Sequence, residues 1–278
     1  MKVLITGANG MLGQDVTALL EKKGYLTENA DREDLDICDL NAVLERVSLC
    51  KPNVIINCAA YTNVDGCETD VDNAYKGNAV GPKNLAIASN KFDVPLVHVS
   101  TDYLFDGEMG KPYIEGDVPN PLSVYGKSKL FGEQNVTSLT NKYFILRTQW
   151  LYGKNGKNFV KTMLELAEKN SSLKVVNDQF GSPTYTKDLA EIIYEIIQTE
   201  SYGIYHTTNS GSCSWYEFTK DIMELAGKNV EVNPCTTDQF PRPAKRPKYS
   251  VLENFNLKIN GFTQPRHYKD ALKEYLSE

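Results

Sequence analysis

Apolar runs and helical-period stripes alternate along this chain. Val3-Leu4-Ile5 is a continuous run of the kind buried on both faces of a parallel sheet, and Leu12, Val16, Leu19 and Leu20 follow at helical spacing. Tyr25 to Asn29 predicts a second strand. Asp39 reads as the N-cap of a helix through Val43 and Val47. Asn53 to Ala60 predicts a third strand, Val71 to Asn90 a long helix, and Pro95 to Thr101 a further strand. Repeated strand–helix alternation predicts an α/β fold with a parallel, doubly wound sheet and ligands at the C-terminal ends of its strands.

The pattern continues past a Gly- and Pro-containing loop from Phe105 to Pro121. Ser123 to Glu133 reads as a helix, as does Asn158 to Asn170. Leu173 to Asn177 reads as a strand, and Lys187 to Gln198 as an amphipathic helix begun by Thr186 and Asp188. Gly203 to Thr208 and Val230 to Asn233 are further strands. Between them, Ser214 and Glu217 form a capping box for a helix from Trp215 to Ala226, closed by Gly227. His267 to Leu276 is the last helix.

With 278 residues, 41% of them hydrophobic and 24% charged, the chain has the composition of a soluble globular protein and the length for a sizeable core. A net charge of −6 gives no global field that favours nucleic acid or an anionic membrane, so an anionic ligand must be held by local donors. The six cysteines (38, 50, 58, 67, 213 and 235) have no metal-ligand spacing and predict reduced thiols in a cytoplasmic protein. The chain enters a strand at once, which predicts no signal peptide, and no apolar run approaches membrane-spanning length.

Between the first strand and the first helix lie Gly7, Gly10 and Gly13. A glycine turn opening a helix is an anion site, because unpaired N–H groups and the positive end of the helix dipole face whatever lies over it. The spacing is Gly-x-x-Gly-x-x-Gly and not Gly-x-Gly-x-x-Gly. The expected dinucleotide contacts are Gly7, Asn9, Gly10, Met11, Leu12 and Gly13 in this turn, with Ala59, Ala60, Tyr61 and Thr62 after the third strand. Asp31 after the second strand suits a ribose 2′-hydroxyl, and the adjacent Arg32 suits a 2′-phosphate, so both NADH and NADPH are open. Asp36 and Ile37 are placed against the adenine. The alternative for Asp36 is a solvated turn carboxylate.

Ser100-Thr101-Asp102-Tyr103 stands at a strand end, where a hydroxyl can serve a substrate carbonyl or merely cap the next turn. Tyr125 and Lys129 stand at i and i+4 and share one helix face. A phenol is a weak acid at neutral pH. Lowering its pKa by about three units takes roughly 4 kcal/mol, which an ammonium about 4 Å away in a partly screened site supplies. Tyr216 and Lys220 repeat the spacing without a strand-end hydroxyl nearby and read as a surface pair.

Taken in order, Gly7-x-x-Gly10-x-x-Gly13, Asn57-Cys-Ala-Ala60, Ser100-Thr101-Asp102 and Tyr125-x-x-x-Lys129 resemble the extended short-chain dehydrogenase/reductase family. Within it the chain looks like the dTDP-4-dehydrorhamnose reductases. The likeness is carried by Ala59-Ala-Tyr-Thr-Asn-Val-Asp65, Ser100-Thr-Asp-Tyr-Leu-Phe-Asp-Gly107, Val124-Tyr-Gly-Lys-Ser-Lys129, Arg147-Thr-Gln-Trp-Leu-Tyr152, Asn158-Phe-Val-Lys-Thr-Met163 and Asn177-Asp-Gln-Phe-Gly-Ser-Pro-Thr184. The chain departs from that pattern at Tyr61, where a histidine is usual, and at Gln149, where a serine is usual. The resemblance implies a Rossmann-like fold, NADPH or NADH as cofactor, and reduction of a nucleotide-linked 4-ketosugar. It implies a catalytic set of Thr101, Tyr125 and Lys129, with Tyr125 protonating the alkoxide, Lys129 lowering its pKa and holding the cofactor ribose, and Thr101 hydrogen-bonding the same oxygen.

The resemblance also puts Thr62, Val64, Thr101, Asp102, Tyr103 and Trp150 near the substrate sugar, and Arg246 on its pyrophosphate. From the residues alone, Trp150 is core, and the cations Arg242, Lys245, Arg246 and Lys248 are a solvated proline-rich loop. Residues 1–150 are expected to bind the dinucleotide, with 172–202 returning to that domain. Residues 151–171 and 203–278 are expected to form a smaller α/β substrate-binding domain. Relatives imply a homodimer, some with Mg²⁺, although no carboxylate cluster predicts a metal, and the three histidines lie too far apart for one. Two alternatives remain: another ketoreductase, epimerase or dehydratase of the family, or a dinucleotide-binding regulatory subunit of the methionine adenosyltransferase type. Tyr103, where dehydratases carry an acid, argues against dehydration.

Overall fold

The computed structural model describes residues 1–278. The first half runs Lys2–Thr6 (β1), Met11–Lys22 (α1), Leu26–Ala30 (β2), Leu40–Cys50 (α2), Val54–Asn57 (β3), Val64–Cys67 (α3), Val71–Tyr75 (α4), Gly81–Phe92 (α5), Leu96–Thr101 (β4), Val124–Leu139 (α6) and Tyr143–Thr148 (β5). It continues with Leu151–Tyr152 (β6), Phe159–Lys169 (α7), Ser172–Val176 (β7), Phe180–Gly181 (β8), Thr184–Tyr185 (β9), Thr186–Ile196 (α8) and Gly203–His206 (β10). Cys213–Ser214 (β11), Trp215–Leu225 (α9), Glu231–Cys235 (β12), Phe255–Ile259 (α10) and Tyr268–Leu276 (α11) complete it.

Six strands form one parallel sheet in the order β10-β5-β4-β3-β1-β2. Its inner strands are buried on both faces, as their unbroken apolar runs require. Val3 and Ile5 face one layer with Leu12, Val16 and Leu20 of α1 and Leu189, Ile193 and Ile196 of α8. Leu4 and Ile55 face the other, with Val43 and Val47 of α2, Leu85 of α5 and Val136 of α6. Alternate residues of β1 therefore feed opposite cores, as the pleat dictates. Asp39 caps α2 as expected, accepting from the N–H groups of Asn41 and Ala42.

Three details differ from the sequence reading. The helix expected over 71–90 is interrupted by a π-helical turn at Lys76–Val80 between α4 and α5. β7, expected to return to the sheet with α8, instead pairs with β12 in a separate two-stranded sheet, and only α8 returns, against α1. The reason is visible in its side chains: Leu173 and Val175 are buried while Ser172 and Lys174 are exposed, a half-buried alternation unsuited to a sheet covered on both faces. β10, expected in the smaller part, becomes the edge strand beside β5. β7 and β12 pack with α7, α9 and α11 around a third core containing Tyr152, Val160, Phe218 and Leu272.

No helix is long and apolar enough to cross a membrane. No group of three or more His, Cys, Asp or Glu side chains is arranged to hold a metal ion.

Candidate active site

At the C-terminal edge of the sheet, the turn after β1 is shaped by its own backbone. Gly7 has φ +67°, and a Cβ there would sit 2.6 Å from the Ala59 nitrogen. A Cβ on Gly13 would strike the Gly7 carbonyl and come within 2.8 Å of the Ala8 Cα. Both glycines thus serve close packing of helix, strand and neighbouring turn. Gly10 is the N-cap of α1 and offers no side-chain cap, so the first-turn N–H groups lack a partner within the helix.

The glycine turn borders a cleft of ≈ 560 Å³. Of the residues expected to bind a dinucleotide, Gly7, Asn9, Gly10, Asp31, Arg32, Asp36, Ile37, Ala59, Ala60 and Tyr61 line it. Met11, Leu12, Gly13, Thr62, Tyr125 and Lys129 do not. The cleft also takes in Leu35, Cys38, Cys58, Asn73, Lys76 and Gly77, which the sequence reading missed. Asp31 accepts from the Arg32 N–H at 2.7 Å and Asp36 from the Cys38 N–H at 2.9 Å, so both carboxylates also brace their own turn. Uncapped N–H groups, a glycine-walled floor and two cations, Arg32 and Lys76, suit the phosphates of a dinucleotide.

The cleft wall is fixed by buried amides. Asn57, at the end of β3, accepts from Thr6 Oγ1 at 2.8 Å and from the Ala59 N–H at 3.1 Å, and its Nδ2 pairs with His98 Nδ1 at 3.0 Å. Burial holds His98 neutral, its pKa well below the usual value. Asn78, in the π-helical turn, accepts from the Tyr61 N–H and donates to the Tyr61 carbonyl and to Ser128 Oγ of α6. A buried asparagine inside a helical stretch was the available signal for this clamp.

Beyond the cleft, Ser123 caps α6 and places Tyr125 and Lys129 toward β4. Lys129 is 2% exposed, and its ammonium donates to the Val99 carbonyl at 2.6 Å. Burial pulls its pKa down to about 8, with Glu133 and Cys58 partly offsetting that. The Tyr125 phenol is buried and its pKa stands above the ordinary value, with desolvation the main cause and the Thr101 hydroxyl favouring the phenolate. Here the molecule departs from expectation. Lys129 is not among the chief influences on Tyr125, because its ammonium is turned to Val99 and its own charge is disfavoured by burial.

Thr101 donates to Asp102 Oδ1 at 3.1 Å and accepts from the Tyr103 N–H at 3.2 Å. The Tyr103 and Tyr125 rings meet edge to face at 5.4 Å, and Val64, Tyr61 and Val124 pack around them. Arg246 reaches this cluster from the proline-rich loop, donating to both oxygens of Asp65 at 3.1 and 3.2 Å and bonding Tyr103. It is therefore a held cation, while Arg242 reaches the same Asp65 only at 3.9 Å and Lys245 and Lys248 are exposed. Thr62 is exposed nearby. Trp150, in a left-handed conformation at φ 48°, stacks on Trp215 at 3.5 Å in a half-buried aromatic group. Lys220 lies over the half-buried Tyr216 ring at 5.6 Å and is itself exposed.

A crystal structure of a dTDP-4-dehydrorhamnose reductase from Clostridium acetobutylicum superposes with TM-score 0.98 and 51% identity, covering 100% of this chain and 99% of that one. The Bacillus anthracis dTDP-4-dehydrorhamnose reductase, solved in complex with NADP, gives TM-score 0.97 and 45% identity, covering 99% of this chain and 98% of that one. The dTDP-4-dehydrorhamnose reductase of Aggregatibacter actinomycetemcomitans is 43% identical over 98% of this chain and 97% of its own length. Residues 1–278 match the family described as RmlD substrate binding domain, and the chain belongs to that family.

Proposed function

We propose that the protein reduces the C4 keto group of dTDP-4-dehydro-L-rhamnose with NAD(P)H, giving dTDP-L-rhamnose, the last step in making that nucleotide sugar. The observation that carries the reading is the Thr101 hydroxyl beside the buried Tyr125 phenol, with Lys129 anchored on Val99 of the same strand, next to a cleft suited to a dinucleotide. The relatives named above are reductases of this substrate, and one was solved with NADP.

The bound reduced nicotinamide supplies the hydride. Tyr125, held protonated by burial, donates its proton to the carbonyl oxygen as charge develops there. The Thr101 hydroxyl beside it favours the phenolate that proton transfer leaves, and Lys129, fixed through Val99, supplies positive charge on the same strand. Val64, Tyr103 and Arg246, gathered around Tyr125, are proposed to meet the sugar and its diphosphate, with Asp65 keeping Arg246 in place. Arg32 and Lys76 in the cleft are the cations available to a 2′-phosphate and support NADPH as a cofactor. The part built on β7, β12, α7, α9 and α11 is proposed to carry the remainder of the substrate site.

The test is Tyr125→Phe. It should bind NADPH normally while turnover, followed as consumption of the reduced cofactor with ketosugar nucleotide, drops by at least about 100-fold. Wild-type turnover in that variant would refute the mechanism.

A further inference from the structure

Asp102, expected among the substrate contacts, is 1% exposed, and its carboxyl is engaged inside the protein. Thr101 Oγ1 donates to Oδ1 at 3.1 Å, and Ser250 Oγ donates to Oδ2 at 2.5 Å. Ser250 comes from a distant stretch of chain and is held there on both sides. Its N–H donates to the Phe180 carbonyl at 3.0 Å, and its carbonyl accepts from Gln149 Nε2 at 2.6 Å. The other end of the Gln149 carboxamide accepts from the Ser182 N–H. Gln149, one of the two departures from the family pattern, thus fastens the segment that carries Ser250.

The consequence falls on Thr101. A hydroxyl has one proton and two lone pairs. The lone pairs of Thr101 take the Tyr103 N–H, while its one proton is drawn both to Asp102, 3.1 Å away, and to the Tyr125 oxygen beside it, where it favours the phenolate, so whatever holds Asp102 decides how that proton is directed. A buried carboxyl lacking either hydroxyl would draw differently on the other, since unpaired polar groups in low dielectric are costly.

We propose that Ser250 is a positioning residue for ketone reduction: through Asp102 it fixes the direction of the Thr101 hydroxyl and thereby the seat of the Tyr125 phenol. This rests on the reading of Thr101 and Tyr125 as the reacting pair. Ser250 touches neither of them directly, and its role is to hold Asp102 in one orientation from the far side.

The experiment compares Ser250→Ala, Thr101→Ala and the double variant for kcat, KM of the ketosugar nucleotide, Kd of NADPH and thermal midpoint. Ser250→Ala should lower kcat by about tenfold or more, with KM and Kd unchanged, because a slight misplacement of a reacting group costs rate more than binding. The double variant should be no slower than Thr101→Ala alone, since both losses pass through one hydroxyl. Ser250→Thr, which keeps the hydroxyl, should recover most of the rate. A wild-type kcat for Ser250→Ala beside a slow Thr101→Ala, or additive losses in the double variant, overturns the role of Ser250 alone. A wild-type kcat for Thr101→Ala overturns the underlying reading. Should Ser250→Ala not fold, Ser250→Cys, of similar volume but with only a weak donor, carries the same comparison.

Discussion

Glu133 and Arg147 form a buried ion pair between α6 and β5, each side chain 4% exposed. Arg147 Nε donates to both carboxylate oxygens at 3.0 and 3.3 Å, and Nη2 donates at 2.8 Å. Glu133→Gln keeps one acceptor oxygen and the shape but leaves the guanidinium without its counter-charge. Breaking one side of a buried pair costs about 3–5 kcal/mol, and the retained oxygen puts this variant near the lower end. Against a total stability of roughly 5–15 kcal/mol, a loss of about 3 kcal/mol is severe. With a urea slope of about 3 kcal/mol per M, the unfolding midpoint should fall by about 1 M. Glu133 also supports the charge of Lys129 one helical turn away, so the variant should titrate Lys129 below about 8 and move the alkaline fall of kcat/KM to lower pH. Adding Arg147→Met, which removes the stranded charge and keeps its bulk over Phe105, should restore part of the midpoint but not the pH profile. An unchanged midpoint in Glu133→Gln would refute the assignment of this pair as a buried structural charge couple.

In the wild type, the ammonium of Lys129 has its pKa below the ordinary lysine value, so it is charged below about pH 8 and neutral above it. A pH series of kcat/KM should therefore fall as pH rises through that point, and a flat profile to pH 10, near the usual lysine pKa, would count against a charged Lys129 in the reaction. Gly13→Ala drives a methyl into the Gly7 carbonyl and the Ala8 Cα, rigid backbone that cannot swing aside. It should cost about 1–3 kcal/mol in chemical unfolding and weaken NADPH in fluorescence titration. Replacing Arg32 and Lys76 together by alanine should raise the KM of NADPH by about tenfold or more while leaving that of NADH nearly unchanged, because only the former presents a 2′-phosphate.

The parallel sheet is legible in the sequence because its strands are so apolar: Val3 to Ile5 and Val54 to Ile56 admit no solvent face, and the glycine turn follows at once. Caps at Asp39, Ser123, Asn158 and Ser214 mark four helix starts by a local rule that tertiary contacts did not override. Strand partners beyond β5 are not legible in the same way, since β7 and β10 differ in where distant segments return. Even there, the exposed Lys174 between two buried residues signals a half-covered sheet. The cleft contacts from Asn73, Lys76 and Gly77 escape the sequence reading because they belong to no glycine or acid motif and lie at or beside the turn at 76–80 that interrupts the expected helix. Arg246 is readable as a cation but not as a held one, because its partner Asp65 lies far away in sequence.

What sets Tyr125 beside Thr101 and Lys129 beside Val99 is a match of two repeats. Along α6, residues four apart are separated by about 6 Å, and along β4, residues two apart by about 6.6 Å. Tyr125 meets Thr101 and Lys129 meets Val99, so the helix runs opposite to the strand, as a connection between neighbouring parallel strands requires. The anchor for Lys129 exists because β3 ends at Asn57, opposite His98. Past that point β4 has no strand on this side, and an ammonium can take the Val99 carbonyl in place of a backbone N–H. A longer β3 would close that gap and expel the lysine. The shortness of one inner strand is thus the structural condition for the buried Lys129 on β4, and it is met where Cys58, Ala59 and Ala60 turn away to line the cleft.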